Sequence, residues 1–195
     1  MKLKEIAKIQ SGYIARGRII PREDGACFLL QARDVAGDQF SYSTDAMIRF
    51  SPTISGKDWF LECGDILFMA RGARNFSVLI TELPENVLAA ACFFIIRASD
   101  TEILPSYLSW NLNQSPVEQY LRRFSGRGVN MPVVRRSVLE SVDIPIPPVG
   151  TQRQVSEISD LLRKEQHLYR ELAEKRKGLI TQICLKAISK HDGQR

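Results

Sequence analysis

The sequence contains few of the residues from which catalytic and metal sites are usually built. Only two of its 195 residues are histidines, His167 and His191, and both lie in a charged C-terminal region where solvent exposure is expected. The four cysteines form no CxxC pair, so their spacing fits neither a zinc site nor a disulfide framework. We therefore expect a protein that is not an enzyme and that binds no metal or cofactor.

Motifs for nucleotide binding and for DNA chemistry are missing as well. Gly126-Arg127-Gly128 lacks the third glycine and the preceding strand of a dinucleotide-binding loop. The proline run at 145–148 lacks the polar and aromatic residues of a base methyltransferase motif, and the expected strands lack the Asp/Glu-x-Lys pattern of a nuclease. Any chemistry is therefore expected to belong to a partner protein.

Long apolar runs are also absent. No stretch approaches the roughly 18 apolar residues of a membrane span, and the N-terminal MKLKEIAKIQSG is too short in apolar length for a signal peptide. With 44% hydrophobic and 25% charged residues, the composition is that of an ordinary folded protein. These features predict a cytoplasmic protein without membrane association.

The apolar spacing predicts an α/β (α+β) domain with a mixed or antiparallel sheet over residues 1–147. Leu3, Ile6 and Ile9 have helical spacing up to the turn at Ser11-Gly12. Runs rich in Phe, Ile, Leu and Val predict strands at 27–31, 65–70, 77–81 and 91–97. Helices are predicted to start at Pro105 and Pro116, followed by a short helix and a terminal strand before residue 144.

The remaining part, residues 148–195, is predicted to be a long spacer or dimerisation helix. The run Ile144-Pro-Ile-Pro-Pro148 excludes a helix and marks the boundary. Thr151 and Gln154 have the form of a capping box, and no proline follows, which predicts an uninterrupted helix over about 152–188, roughly 55 Å long.

This helix has a heptad-like apolar seam. The seam residues are Val155, Ile158, Leu162, Tyr169, Leu172, Leu179 and Ile183, interrupted by Glu165 and Arg176. A seam sustained over about five repeats predicts a coiled coil with a partner helix. A helix folded back onto its own domain remains an alternative, although it would leave the far half of the seam exposed.

Arginine is strongly favoured over lysine in residues 1–150, by thirteen to four. The guanidinium fork matches both phosphate and the O6/N7 pair of guanine, and Asn and Gln match adenine, so polar loops rich in these residues predict DNA binding. The candidate DNA-contacting residues are Tyr13, Arg16, Arg18, Gln31, Arg33, Arg71, Arg74, Asn75, Arg127 and Asn130. The alternative is that such arginines are ordinary solvated residues that pair with acids such as Asp34 or Glu140.

A set of motifs in fixed order carries a family resemblance. They are Lys2-Leu-x-x-Ile-Ala-x-Ile-x-x-Gly12, Leu29-Leu-Gln-Ala-Arg-Asp-Val35, Leu61-Glu-Cys-Gly-Asp-Ile-Leu-Phe68 with Arg71-Gly72, Leu104-Pro-x-Tyr-Leu108, the glycines at 126–128, and Ile144-Pro-Ile-Pro-Pro-x-x-x-Gln152. Together they resemble the target recognition domain of type I restriction-modification specificity subunits, over essentially the whole chain.

The resemblance implies a sequence-specific DNA-binding subunit that directs a methyltransferase subunit and a restriction subunit to double-stranded DNA. Members of the family usually carry two recognition domains and two spacer helices. With one of each, this chain resembles a half-length subunit, which implies a homodimer formed through antiparallel helices. An alternative of another class remains open: a coiled-coil homodimeric adaptor whose globular domain binds protein rather than DNA.

Overall fold

The structure is a computed structural model that describes residues 1–15, 17–36, 40–45, 47–52, 59–99, 102–124 and 133–192. The chain divides into two compact units, Met1–Ser156 and Glu157–Arg195. The first unit contains the strands and four of the helices, and the second belongs to the last helix. The predicted α+β class with a long C-terminal helix is confirmed.

Nine strands and five helices are assigned in the described ranges. The strands are β1 (Ala7–Ser11), β2 (Cys27–Leu30), β3 (Val35–Ala36), β4 (Ser41–Tyr42), β5 (Ile48–Phe50), β6 (Ile66–Met69), β7 (Ser77–Leu79), β8 (Val87–Ala89) and β9 (Phe93–Ala98). The helices are α1 (Leu3–Ile6), α2 (Pro105–Leu112), α3 (Ser115–Phe124), α4 (Arg136–Glu140) and α5 (Val149–Asp192). A 3₁₀ turn spans Ala32–Asp34.

The largest sheet has four antiparallel strands in the order β1-β9-β6-β7 and is covered on both faces. Strand β6 is buried along its whole length. Successive side chains of a strand point to opposite faces, so Ile66 and Phe68 pack with helices α1 to α4, whereas Leu67 and Met69 pack with the other strands. Burial on both faces explains why this strand is a continuous apolar run in the sequence.

The other strands form two smaller sheets. In the order β5-β2-β8, strand β2 is antiparallel to β5 and parallel to β8, so this sheet is mixed. Strands β3 and β4 form an antiparallel pair. The strands β3, β4, β5 and β8 are not predicted from the sequence. The first three have only two or three residues each, and β8 continues into the apolar run of β9 without a turn residue between them.

The predicted N-terminal helix is wrong beyond Ile6. Residues Ala7–Ser11 form a strand, with Ile9 opposite Ile96 of β9. Leu3, Ile6 and Ile9 have helical spacing, but Ala7 and Ile9 are buried on either side of exposed Lys8, which is a strand pattern. All five residues lie opposite residues of β9, and the backbone groups of β1 that face β9 are bonded to it, so the tertiary contact overrides the local helical preference.

The predicted strand before residue 144 is also wrong. Residues Val142–Ile144 lie beside the N-terminus. The amide of Leu3 donates to the carbonyl of Val142 (2.9 Å), and the amide of Ile144 donates to the carbonyl of Met1 (2.8 Å). They form only an isolated antiparallel bridge, between Lys2 and Asp143. The prolines at 145, 147 and 148 have no N–H group, so they prevent the ladder from extending.

Helix α5 begins at Val149, two residues before the predicted N-cap at Thr151. The amide groups of Thr151 and Gln152 donate to the carbonyl oxygen of Pro148 at 2.8 and 3.1 Å, so the helix starts directly after the proline run. It continues through Gly178 without a break. Among the described residues, no helix is both long and apolar enough to cross a membrane.

Tyr42 ties the β3–β4 pair to the chain after β7. Its hydroxyl donates to the carbonyl of Glu82 (2.6 Å) and accepts from the amides of Thr81 (3.0 Å) and Glu82 (2.8 Å). Because Tyr42→Phe removes one donor and leaves two amides without this acceptor, we expect the free energy of unfolding to fall by about 1–2 kcal/mol. Urea unfolding of parent and variant measures this difference, and an unchanged midpoint at equal m-value would contradict it.

Candidate nucleic-acid interface

The loop between β6 and β7 presents two arginines on a fixed backbone. The amides of Ala70 and Arg71 both donate to the carbonyl of Cys92, at 2.9 and 3.1 Å. The side-chain amide of Asn75 donates to the carbonyl of Met69 at 2.8 Å, which closes the loop on itself. The side chains of Arg71 and Arg74 are exposed. The loop can therefore offer two guanidinium groups to an anionic ligand without rearranging its backbone.

The 3₁₀ turn presents a further arginine. Asp34, whose side chain is 1% exposed, accepts a hydrogen bond from the backbone amide of Gln31 at 2.8 Å and so fixes the turn. Arg33 is exposed, and its Nε lies 3.7 Å from Asp34 Oδ1, too far for a hydrogen bond. Because this contact is long and one-sided, the Arg33 guanidinium remains accessible to a ligand.

Cys92 lies between this turn and the β6–β7 loop. Burial raises the pKa of its thiol, and this effect is opposed by the backbone N–H groups of Cys92 and Ala32 and by the charge of Arg71. The backbone amide of Arg71 also donates to the carbonyl of Cys92 at 3.1 Å, so the loop is bonded to the cysteine whose thiol is affected by the Ala32 N–H of the turn. Arg74 in turn lies over the ring of Phe40, 5.8 Å from its centroid. The structure thus brings together two loops that are about forty residues apart in the sequence.

Tyr13 and Arg18 belong to the segment that follows β1 and is bonded to the mixed sheet. Tyr13 is buried: its ring packs against Phe50 with centroids 5.4 Å apart, and its backbone amide donates to the carbonyl of Ala89 at 2.7 Å. Arg18 is exposed, in a segment that is joined to β5 by the bond from Arg22 N–H to Arg49 O. The candidates Arg16, Arg127 and Asn130 lie outside the described residues.

Two further cations near these loops are not among the sequence candidates. Arg49 on β5 is exposed and lies over the ring of Phe28 at 4.8 Å. It lies between the partly buried Ile48 and the buried Phe50, as expected for a strand, but three residues are too few for this alternation to be recognised in the sequence. Arg122 of α3, paired with Glu118 at 2.7 Å, lines a cleft of about 90 Å³ together with Arg74.

The chain is similar to known proteins in both sequence and fold. No protein-family model matches it. It is 25% identical over 135 residues, 66% of its length, to the curated type I restriction enzyme MjaX specificity subunit of Methanocaldococcus jannaschii. The specificity subunit of a type I restriction-modification system from M. genitalium superposes with a TM-score of 0.54 over 84% of this chain at 11% identity.

Two other structures superpose more closely. The HsdS subunit of Thermoanaerobacter tengcongensis gives a TM-score of 0.64 over 91% of this chain at 16% identity. A chain from a study of complex assembly and conformational transition in the type I system gives 0.64 over 89% at 18% identity. The chain has the specificity-subunit fold. The family resemblance that its motifs predicted is thereby confirmed.

The specificity-subunit fold is present here over a fraction of the relatives' length. The chain spans 32% of the MjaX subunit. It covers 38%, 40% and 45% of the three solved chains. One α+β unit and one long helix are therefore consistent with a half-length form.

Proposed function

We propose that this chain is the DNA-recognition subunit of a type I restriction-modification system and that it reads one half of a gapped duplex target. The observation that carries the proposal is the pair of exposed arginine sites beside Cys92, the Arg33 turn and the Arg71–Asn75 loop whose amides donate to the Cys92 carbonyl, on a domain with the specificity-subunit fold. Exposed arginines on a fixed backbone are suited to phosphate contacts and to guanine edges. The similarity to the MjaX subunit supports the same role.

The candidate residues divide into two roles under this proposal. The exposed cations Arg18, Arg33, Arg71 and Arg74 contact DNA directly, together with Arg16, Arg127, Asn130 and Gln31. Asn75 fixes the loop, because its amide nitrogen already donates to the carbonyl of Met69. Tyr13 supports the surface from below, because its ring is packed in the core. The subunit itself catalyses no reaction, and a methyltransferase subunit and a restriction subunit supply the chemistry.

Two copies pair through antiparallel α5 helices in this proposal. Beyond Val155, the seam residues are 45–67% exposed in the single chain. At 100° per residue, Leu161, Leu168 and Ile180 lie beside the seam and widen the apolar face, and each is more than 60% exposed. An exposed apolar face of this length, interrupted only at Glu165 and Arg176, favours burial against a second copy. The symmetric pair then favours an inverted-repeat target with an unread gap.

The alternative function, an adaptor whose globular domain binds protein, predicts no DNA binding. The salt dependence of DNA binding therefore separates the two functions. We expect the full chain to bind duplex DNA with an affinity whose logarithm falls linearly with the logarithm of salt concentration, with a slope of roughly −0.9 per phosphate contacted. Fluorescence anisotropy with random and selected duplexes measures the slope. The double variant Arg71→Ala/Arg74→Ala should make the slope shallower by about one for each phosphate that these arginines neutralise in the parent. No binding to any duplex at low salt would favour the adaptor.

A further inference from the structure

Gln152 is a fully buried polar residue on the first turn of α5. Its Oε1 accepts a hydrogen bond from the backbone amide of Leu104 at 2.9 Å. Its Nε2 donates to the carbonyl of Glu102 at 2.7 Å and to that of Pro147 at 2.8 Å. Both side-chain N–H groups and the oxygen are therefore bonded to main chain, from the start of α2 and from the proline run.

The next turn of α5 extends the same attachment. The hydroxyl of Ser156 donates to the carbonyl of Gln152 at 2.9 Å and accepts from the hydroxyl of Ser106 at 3.0 Å. All of these residues belong to the compact unit Met1–Ser156. Buried amides that satisfy several backbone groups at once are costly to disturb, because each group left without a partner keeps its desolvation penalty. The attachment is therefore specific in geometry as well as tight.

We infer that Gln152 is a positioning residue: by tying the first two turns of α5 to the recognition domain, it sets how strictly the paired subunits select the gap between half-sites. This inference rests on the proposed function. No sequence pattern marked Gln152 for such a role, although it closes the motif that begins at Ile144.

The length of α5 explains why its attachment matters, because a small change of angle at its start becomes a large displacement at its end. Helix α5 has 44 residues, which corresponds to about 66 Å of helix. An angular freedom of about 5° at its start would move its far end by about 6 Å. One base pair of added gap shifts a half-site by about 3.4 Å and rotates it by about a tenth of a turn. Even small freedom at Gln152 would therefore admit neighbouring gap lengths.

The experiment compares Gln152→Glu with a matched control in the same domain. Asn113 has the same pattern, since its Oδ1 accepts from the amide of Ser77 (2.7 Å) and its Nδ2 donates to the carbonyls of Ser77 (2.8 Å) and Ser109 (3.1 Å). Gln152→Glu and Asn113→Asp each replace the amide donor by a carboxylate that faces two carbonyls. The full-length proteins are used to select duplexes from a randomised pool, and the gap length of the recovered targets is counted.

We expect the parent to favour one gap over its neighbours by about tenfold or more. Gln152→Glu should reduce this preference to about threefold or less while the half-site bases stay the same. Asn113→Asp should keep the parental gap preference, although its carboxylate shares a cleft with Arg74 and lowers the overall affinity for DNA. An unchanged preference in Gln152→Glu, or an equal reduction in Asn113→Asp, overturns the inference. If Gln152→Glu does not fold, Gln152→Met, which has a similar length, removes all three bonds of Gln152 and adds no charge, takes its place under the same criterion.

Hydrogen exchange separates this inference from the proposed function. In Gln152→Glu, the carboxylate repels the carbonyls of Glu102 and Pro147, so we expect the peptides around Leu104 and the start of α5 to exchange at least about tenfold faster than in the parent. Asn113→Asp should instead affect the peptide around Ser77. A parent that shows no gap preference counts against the proposed function, whereas parental exchange around Leu104 in Gln152→Glu overturns the attachment itself.

Discussion

Replacing Leu172 by aspartate is expected to raise the dissociation constant of the dimer by at least about a hundredfold. Leu172 lies in the middle of the seam and is 45% exposed in the single chain. Two copies of the variant would bury two carboxylates where the parent buries two leucines, and removing a buried leucine alone costs about 2–5 kcal/mol. Sedimentation at micromolar concentration should show a dimeric parent and a monomeric variant.

Leu185→Asp provides the matched control. Leu185 is on the same helix and is 61% exposed, but at 100° per residue it lies about 140° around the helix from Leu172. The same substitution there should leave the dimer intact. A monomeric parent, or a Leu172→Asp variant that is still dimeric, would show that the seam does not pair with a second copy. If both variants are monomeric, residues on both sides of α5 contribute to the dimer contact, and an antiparallel pair that buries only the seam is not the interface.

Replacing Arg71 by alanine is expected to weaken binding to the selected target by about 1–3 kcal/mol, which corresponds to roughly 5- to 150-fold. Arg71 is exposed, while its backbone is held by the carbonyl of Cys92 and by a bridge to Val133. Truncation therefore removes the guanidinium and leaves the loop in place. Titrations of the selected duplex at a fixed salt concentration measure the change in affinity.

Arg71→Lys distinguishes base reading by Arg71 from phosphate binding. If Arg71 reads a guanine through its two parallel N–H groups, Arg71→Lys should bind random DNA like the parent, unlike Arg71→Ala, but should not discriminate at that base. If Arg71 binds phosphate, lysine should restore both. Variants that bind target and random DNA like the parent would place the recognition surface away from the β6–β7 loop.

A strand or helix could be predicted where neighbouring residues in the sequence show its pattern. Strands β6 and β9 are predicted because their residues form continuous apolar runs, and helices α2 and α3 because a proline marks the start of each. The helix predicted over Ala7–Ser11 is wrong, since Leu3, Ile6 and Ile9 have helical spacing but Ala7 and Ile9 also fit a strand, and pairing with β9 decides between the two. The shortest strands exist only as pairs, and no local pattern encodes them.

In the candidate interface too, some features can be recognised in the sequence and others depend on tertiary contacts. Exposed arginines at 33, 71 and 74 are recognisable from residue type and from their position in polar loops. The position of Cys92 between the turn and the loop cannot be recognised in the sequence, because it depends on how the sheets pack. Tyr13 belongs by sequence to the polar loop residues, yet its ring packs on Phe50, because Tyr can serve a core or a surface equally well.

The sequence by itself determined the long helix α5, its apolar seam and the arginine-rich character of the loops, because periodicity, the absence of proline and residue type are all local properties. Only the tertiary structure decided which loops meet and how α5 is attached. Gln152 is the clearest case: its partners at 102 and 104 are about fifty residues away, and its importance follows from three bonds that no spacing in the sequence predicts. Contacts at such separations are set by the packing of the whole core, since burial there leaves polar groups only the partners that the fold supplies.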